Sequence, residues 1–251
     1  MSFCLFMYAE DNEILYLPQK EMNYQSVIET LRSLGNAKNV EGMKRYRIDA
    51  QQAFGVPAPA IRTLAKTIGT NHTLAMELWE SGYHEARILA ALIADPQKAT
   101  LRLLDHWAGD LQNWAQCDAC CAEFFEKTEF AYRLPFRWAS VEKEFVRRAG
   151  IVMIAVMAVH HKKTDDDEFE KFFPLLRQYA SDERNFVKKA VNWALRQVGK
   201  RNLRLNKKSI ALAKEILNIP SPSARWIAND ALIELRNPKT IALIQRRKGK
   251  L

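Results

Sequence analysis

Three segments of the chain repeat one helical plan at nearly regular intervals. EFVRRAGIVMIA (144–155), NFVKKAVNWALR (185–196) and ARWIANDALIELR (224–236) each place an aromatic residue near a polar or basic pair and continue with Ala-rich apolar turns. HEARILAALIA (84–94) is a degenerate earlier copy. The interval of about 40 residues is that of a two-helix repeat, and a single such unit cannot bury its own apolar face. The units must therefore stack on one another.

Apolar residues recur with helical spacing along nearly the whole chain, and no segment alternates as a strand does. With nine Gly and nine Pro, the chain has few of the residues that favour tight turns. These features predict an all-α, HEAT-like (armadillo-type) α-solenoid of antiparallel helix pairs, whose inner helices line a concave basic face. Helices are predicted at 22–34, 38–54, 58–69, 71–82, 84–95, 97–111, 114–126, 129–139, 141–161, 165–180, 184–200, 206–217 and 222–236.

The two ends of the chain differ from the repeats. Residues 1–21 lack a basic start and a small-residue cleavage site, so they are not a secretory signal, and we expect an extension outside the folded unit. One HEAT-like domain is expected over 22–240, and a disordered basic tail over 241–251. The longest apolar run, 150–159, is shorter than the ~18 residues that a membrane span needs, which argues against a membrane protein.

The net charge favours an anionic partner such as nucleic acid. Lys and Arg number 38 against 29 Asp and Glu, which leaves a formal charge of +9. A helical projection of residues 185–200 separates an apolar side from a basic one, and the basic run continues to Arg201 and beyond. The basic side carries Lys189, Trp193, Arg196 and Lys200. A tryptophan beside cations suits a nucleic-acid backbone, although Trp193 could instead pack on the neighbouring repeat.

The stretch NWAQCDACC (113–121) admits three interpretations. On a helix, Trp114 and Asp118 share a face with Cys121 and Phe125, so an acid lies beside an aromatic ring. The three cysteines could bind zinc with His106, but they would point in different directions on one helix, and small apolar core residues fit better. Three cysteines within five residues cannot form a disulfide framework, which indicates a reducing, cytoplasmic compartment.

Arg148 begins a run, AGIVMIAVMAV, that is apolar on every side and therefore buried. A buried arginine needs a carboxylate or phosphate partner. Either Asp118 meets it across the repeat stack, or a DNA phosphate does.

The order W-x-x-x-D, R-A-x-I and K-A-x-x-W-x-L-R closely resembles the AlkD-type DNA alkylation-repair glycosylases, which are HEAT-like solenoids. The resemblance covers residues 38–236. RYRIDAQQAFGVPAPAIR (45–62) adds Tyr46 and Arg62 at positions where that family contacts DNA. The chain departs from the family pattern at Ala115, where a second acid is frequent, and at Ala58, where a hydroxyl can face the backbone.

The resemblance implies a monofunctional glycosylase that removes alkylated, cationic purines from double-stranded DNA without a base-flipping pocket. It implies that Asp118 is the catalytic carboxylate and Arg148 its neighbouring arginine. Trp114, Trp193 and Tyr46 would form an aromatic cradle, and Lys189 and Arg196 would hold the backbone. Apart from the resemblance, the basic run that includes Lys200 and Arg201 is itself expected to neutralise phosphates. No metal or other cofactor and no obligate protein partner is implied, so we expect a monomer that is cytoplasmic and nucleoid-associated when bound to DNA.

Two other functions remain compatible with the sequence. A HEAT-like module could bind bent, branched or damaged DNA without chemistry, although such a binder has no need of a carboxylate that repels phosphate. A protein-interaction scaffold is the common role of such repeats, and the basic side with Trp193 argues against it.

Overall fold

The computed structural model describes residues 22–48 and 52–248, and every regular element in those ranges is a helix. Helices α1 to α5 are Tyr24–Ser33, Ala37–Arg45, Ala58–Ile68, His72–Glu80 and His84–Ile93. Helices α6 to α10 are Leu101–Asp110, Trp114–Glu123, Leu134–Ala139, Glu144–His160 and Asp166–Glu170. Helices α11 to α15 are Phe173–Gln178, Asn185–Gly199, Leu203–Leu217, Pro222–Leu235 and Pro238–Lys248. The all-α prediction is confirmed.

The helices form two layers. In the first layer each helix packs against the next, in the order α3, α5, α7, α9, α12 and α14, and we call this the inner layer. The second layer, which we call the outer layer, covers the first. Helix α4 packs on α5, α8 on α9 and α13 on α14, and α6 and α11 also belong to this layer. Stacked helix pairs of this kind are the solenoid that the repeats predict.

One apolar core runs between the layers. Helix α9 is buried on all sides from Val146 to Ala158, as its uniformly apolar sequence predicts. In the first half of the chain the rings of Trp79 and Trp107 stack with centroids 4.1 Å apart. Gly150 lets α9 approach α8 closely, because a Cβ atom there would lie 2.7 Å from the main-chain nitrogen of Ala139.

Several predicted helix boundaries are wrong. The helix predicted over 38–54 ends at Arg45, because Arg47 has a φ of 57° and interrupts the helical path. The helix predicted over 165–180 is divided into α10 and α11, and Pro174 lies in the first turn of α11, where a missing N–H costs nothing. The helix predicted from 129 begins only at Leu134.

The C-terminal segment also differs from the prediction. Helix α15 continues the chain as far as Lys248, so most of the segment expected to be a disordered tail is helical. The extension proposed for residues 1–21 lies outside the described residues. In the ranges that the structure covers, none of the helices combines the length and the apolar character needed to cross a bilayer.

Candidate functional site

Asp118 and Arg148 form a bidentate ion pair between two neighbouring helices of the inner layer. The Arg148 Nη2 atom donates to both carboxylate oxygens of Asp118, at 2.7 and 2.9 Å, and Nε lies 3.2 Å from Oδ1. Of the two partners predicted for Arg148, the carboxylate is therefore the one present. The Arg148 side chain is 6% exposed and that of Asp118 is 27% exposed, so the carboxylate is the part of the pair that reaches the surface.

Arg148 also ties this pair to a third helix. Its Nη1 donates to the main-chain oxygen of Phe186 at 2.7 Å, at the start of α12. The ring of Phe186 lies 5.3 Å from that of Phe145 at the start of α9. The guanidinium therefore bonds to groups of the protein itself. It links α7, α9 and α12 and holds the Asp118 carboxylate in one orientation.

The two charges of this pair influence each other. Burial raises the pKa of Asp118 above its ordinary value, while the Arg148 guanidinium acts in the opposite direction. Burial lowers the pKa of Arg148, but the charge and hydrogen bond of Asp118, with smaller contributions from Cys117 and Cys121, together leave that pKa raised. A partly desolvated carboxylate interacts more strongly with a positive charge that develops nearby than one in water does.

Trp114 connects the start of α7 to the segment that carries Tyr46. The Asn113 side chain accepts from the main-chain nitrogen of Gln116 and caps α7, which places Trp114 at the first helical position. The Trp114 Nε1 atom donates to the main-chain oxygen of Tyr46 at 2.9 Å. The Tyr46 side chain is 62% exposed. Two of the three residues predicted for the aromatic cradle are therefore in direct contact.

Glu85 is a further residue of this region, which the sequence analysis missed. Its buried carboxylate accepts three consecutive main-chain N–H groups, from Phe54 at 2.9 Å, Gly55 at 2.7 Å and Val56 at 3.2 Å. Gly55 has a φ of 79°, a conformation that favours glycine. The signal was present in the sequence, because a glutamate in the apolar helix HEARILAALIA must find partners when it is buried.

The predicted division of α12 into two sides is confirmed. Its apolar side is buried and comprises Val187, Val191, Ala194 and Val198. Trp193 is half-buried and packs partly against the core, while Lys189 is exposed. In the described part of the chain, the Lys189 side chain makes no hydrogen bond or ion pair. Trp193 therefore packs in part on its neighbours, and its contact with nucleic acid stays a prediction.

Arg196 and Lys200 are neutralised by acids of α14. Arg196 pairs with Asp230 at 2.5 Å and with Glu234 at 2.7 Å. Lys200 pairs with Glu234 at 2.6 Å. Both cations are predicted DNA contacts, and their acidic partners lie more than thirty residues further along the chain, where no local sequence pattern reveals them.

Arg201 and Arg62 are also engaged within the protein. The Arg201 guanidinium donates to the main-chain oxygens of Ala158, His161 and Thr164 at 3.0 to 3.1 Å, in and just after the C-terminal turn of α9. It satisfies carbonyls at a helix end there, and its contact with a phosphate stays a prediction. Arg62 pairs with Glu123 at 2.8 Å, but 58% of its side chain remains exposed.

The three cysteines of α7 belong to the core, and Cys117 and Cys121 contact the main chain of α9. Cys117, Cys120 and Cys121 are fully buried, and the Cys121 thiol lies 3.6 Å from the main-chain oxygen of Ala149. Burial raises the pKa of Cys120 and Cys121, which disfavours the thiolate that a metal requires. Residues 22–48 and 52–248 contain no group of three or more His, Cys, Asp or Glu side chains placed to hold a metal ion.

Comparison with known proteins agrees with the resemblance. The family described as DNA alkylation repair enzyme matches residues 27–235. A solved structure superimposes with a TM-score of 0.70 at 19% identity, over 83% of this chain and 94% of the other. That protein is described as belonging to a new family of proteins related to the HEAT-like repeat DNA glycosylases with affinity for branched DNA structures. Among curated proteins no significant match was found.

Proposed function

Because the chain belongs to the DNA alkylation repair enzyme family, we propose that it is a monofunctional DNA glycosylase. The reaction is hydrolysis of the N-glycosidic bond of alkylated, cationic purines, such as 7-methylguanine and 3-methyladenine, in double-stranded DNA. The observation that carries this proposal is the Asp118 carboxylate, which reaches the surface of the inner layer and is held in place by Arg148.

The chemistry of such lesions suits a single carboxylate. An alkylated purine already carries a positive charge, so it leaves as a neutral base and needs little acid assistance. The sugar then develops positive charge, as in other glycosidic cleavages. Asp118 stabilises that charge electrostatically and orients the attacking water. Arg148 positions Asp118 and prevents it from turning towards solvent.

The aromatic residues supply the rest of the proposed site. Trp114 and Tyr46, joined by their hydrogen bond, and Trp193 on α12 present rings that favour a cationic sugar and base. The damaged nucleotide lies against this surface and is not inserted into a base-flipping pocket. Arg62 and Lys189 are exposed and contact the backbone, whereas the engaged Arg196, Lys200 and Arg201 play a smaller part. The protein acts without a cofactor, as a monomer, in the cytoplasm and at the nucleoid.

The decisive experiment measures release of 7-methylguanine and 3-methyladenine from methylated duplex DNA. Asp118→Asn removes the carboxylate charge with little change in volume, and we expect release to fall by about 100-fold or more while DNA binding persists. Asp105→Asn is the matched control, because Asp105 accepts a similar bidentate pair from Arg137 in the outer layer. Equal activity of the wild type and Asp118→Asn would remove the basis of the proposal.

A second candidate is a module that binds branched DNA without cleaving a glycosidic bond. The related solenoid with affinity for branched DNA structures favours it. So does the neutralisation of Asp118 by Arg148, which reduces the repulsion between the carboxylate and phosphate. Tighter binding of a four-way junction than of duplex DNA, with no base released from methylated DNA by the wild type, would establish this second function.

A further inference from the structure

A tryptophan of α14 and a lysine of α12 meet on the surface of the inner layer. The ammonium group of Lys188, on α12, lies 5.5 Å from the ring centroid of Trp226, on α14. Trp226 is 42% exposed, although a side chain of this size is usually buried in a solenoid that has no partner. Lys189 and Arg225, which follow and precede these two residues in the chain, are exposed as well.

The cations of this group have no acid within ion-pairing distance in the described part of the protein. Lys188, Lys189 and Arg225 make no ion pair or side-chain hydrogen bond there. Glu183, which interacts with Lys188 only electrostatically, accepts hydrogen bonds from the hydroxyl groups of Ser221 and Ser223. The later halves of the same two helices behave differently, because Arg196 and Lys200 are paired with acids there.

The group is continuous with the Asp118 site. Asp118 contacts Arg148, Arg148 contacts the main chain of Phe186, and Lys188 follows two residues later. These contacts lie in the first half of each helix, so α7, α9, α12 and α14 are aligned side by side. Three steps between packed helices, at about 8–10 Å each, separate α7 from α14 by roughly 25–30 Å. This distance corresponds to about eight base pairs of duplex DNA.

We propose that Lys188, Arg225 and Trp226 extend the contact of Lys189 into a second DNA-binding site, which holds the sugar-phosphate backbone of the duplex arm that extends from the lesion towards α14. The lysines and the arginine neutralise phosphates. The Trp226 ring packs on a deoxyribose, and Lys188 keeps that ring in place. The proposal depends on the proposed function only for the identity of the partner as duplex DNA.

The test measures binding of an undamaged, fluorescently labelled duplex of about 20 base pairs at several salt concentrations, with no base release involved. Each phosphate contact contributes about 0.9 to the slope of log affinity against log salt. Lys188→Ala/Arg225→Ala should therefore reduce that slope by about 1.8. Lys207→Ala/Lys214→Ala removes the same charge from exposed positions of α13, and we expect it to leave the slope unchanged.

Trp226→Ala tests the aromatic part of the site. We expect it to weaken binding by about 3- to 10-fold with no change in slope, whereas Ile233→Ala should have no effect. Ile233 is 73% exposed on the same helix, in the half where the cations are neutralised. Equal slopes for the two double variants, or equal affinities for the Trp226 and Ile233 variants, would overturn the proposal even if base release depends on Asp118. An unfolding temperature close to that of the wild type confirms that each variant is folded.

Discussion

The Trp114 indole donates its Nε1 hydrogen to the main-chain oxygen of Tyr46, at 2.9 Å and across 68 residues of chain. This bond joins the first turn of α7, which also carries Asp118, to the end of α2. Trp114, which shares α7 with Asp118, and the main chain at Tyr46 are therefore held by each other as well as by their own helices.

Trp114→Phe should separate the role of the hydrogen bond from that of the ring. The variant keeps an aromatic face and loses the N–H donor, so we expect a loss of about 1 kcal/mol in the free energy of unfolding and slower base release. Urea denaturation measures the first and a release assay the second. Trp226→Phe is the control for stability, since its indole makes no hydrogen bond to another described residue. An equal free energy of unfolding for the wild type and Trp114→Phe would show that the hydrogen bond does not stabilise the fold.

Glu85→Gln should loosen the segment before α3. The amide cannot satisfy three main-chain donors as a carboxylate does, so we expect a stability loss of about 2 kcal/mol. Amide hydrogen exchange at Phe54, Gly55 and Val56 should become faster by roughly 10-fold or more. Glu80→Gln, at an exposed glutamate paired only with His106, is the control and should leave those three amides unchanged. Unaltered exchange in Glu85→Gln would contradict the anchoring role.

Arg148→Ala should be far more costly than Arg137→Ala. Arg148 is 6% exposed, and its removal leaves the Asp118 carboxylate and the Phe186 carbonyl without their partner, which costs about 3 kcal/mol. Arg137 makes a similar pair with Asp105 but is 52% exposed, so its removal should cost less than about 1 kcal/mol. Denaturation by urea measures both values, and similar losses in the two variants would refute the distinction.

Gly150→Ala should destabilise the protein, because the new methyl group would meet the main chain of Ala139 and Trp138 in α8. Overpacking of this kind costs about 1–3 kcal/mol. Gly109→Ala in α6 meets no atom within 4 Å, and the higher helix propensity of alanine should stabilise the protein by up to about 1 kcal/mol. Thermal unfolding of the two variants should therefore shift in opposite directions, and a shift of Gly150→Ala to higher temperature would contradict the close packing.

Asp182 should make stability depend on pH in the acid range. Burial raises its pKa, but hydrogen bonds from Arg184 and Arg147 outweigh that effect and leave the pKa below its ordinary value. The unfolded chain therefore binds more protons than the folded chain between the two pKa values. The stabilisation is complete above the unfolded pKa and is lost as pH falls through the folded one.

The measurement for Asp182 is the unfolding temperature between about pH 2 and pH 5. Asp182→Asn should lower it near neutral pH and flatten its dependence on pH. A steeper dependence in the variant than in the wild type would reverse the assigned sign.

The sequence alone determined the all-α class, the repeat interval and the burial of α9, because hydrophobic periodicity depends only on which residues follow one another along a helix. It also determined that Asp118 shares a helix with Trp114 and that Arg148 needs a partner. These are local statements, and local geometry is set within a few residues of chain.

The tertiary structure decided which charges meet. Arg148 joins Asp118 instead of remaining for a phosphate, Arg196 and Lys200 meet the acids of α14, and Arg201 is used at the end of α9. The partners in each case lie thirty or more residues apart, and their side chains meet only when neighbouring repeats stack. A count of lysines and arginines does not show which of them are paired with acids in the fold. The sequence could therefore indicate a basic protein but not where its unpaired cations lie.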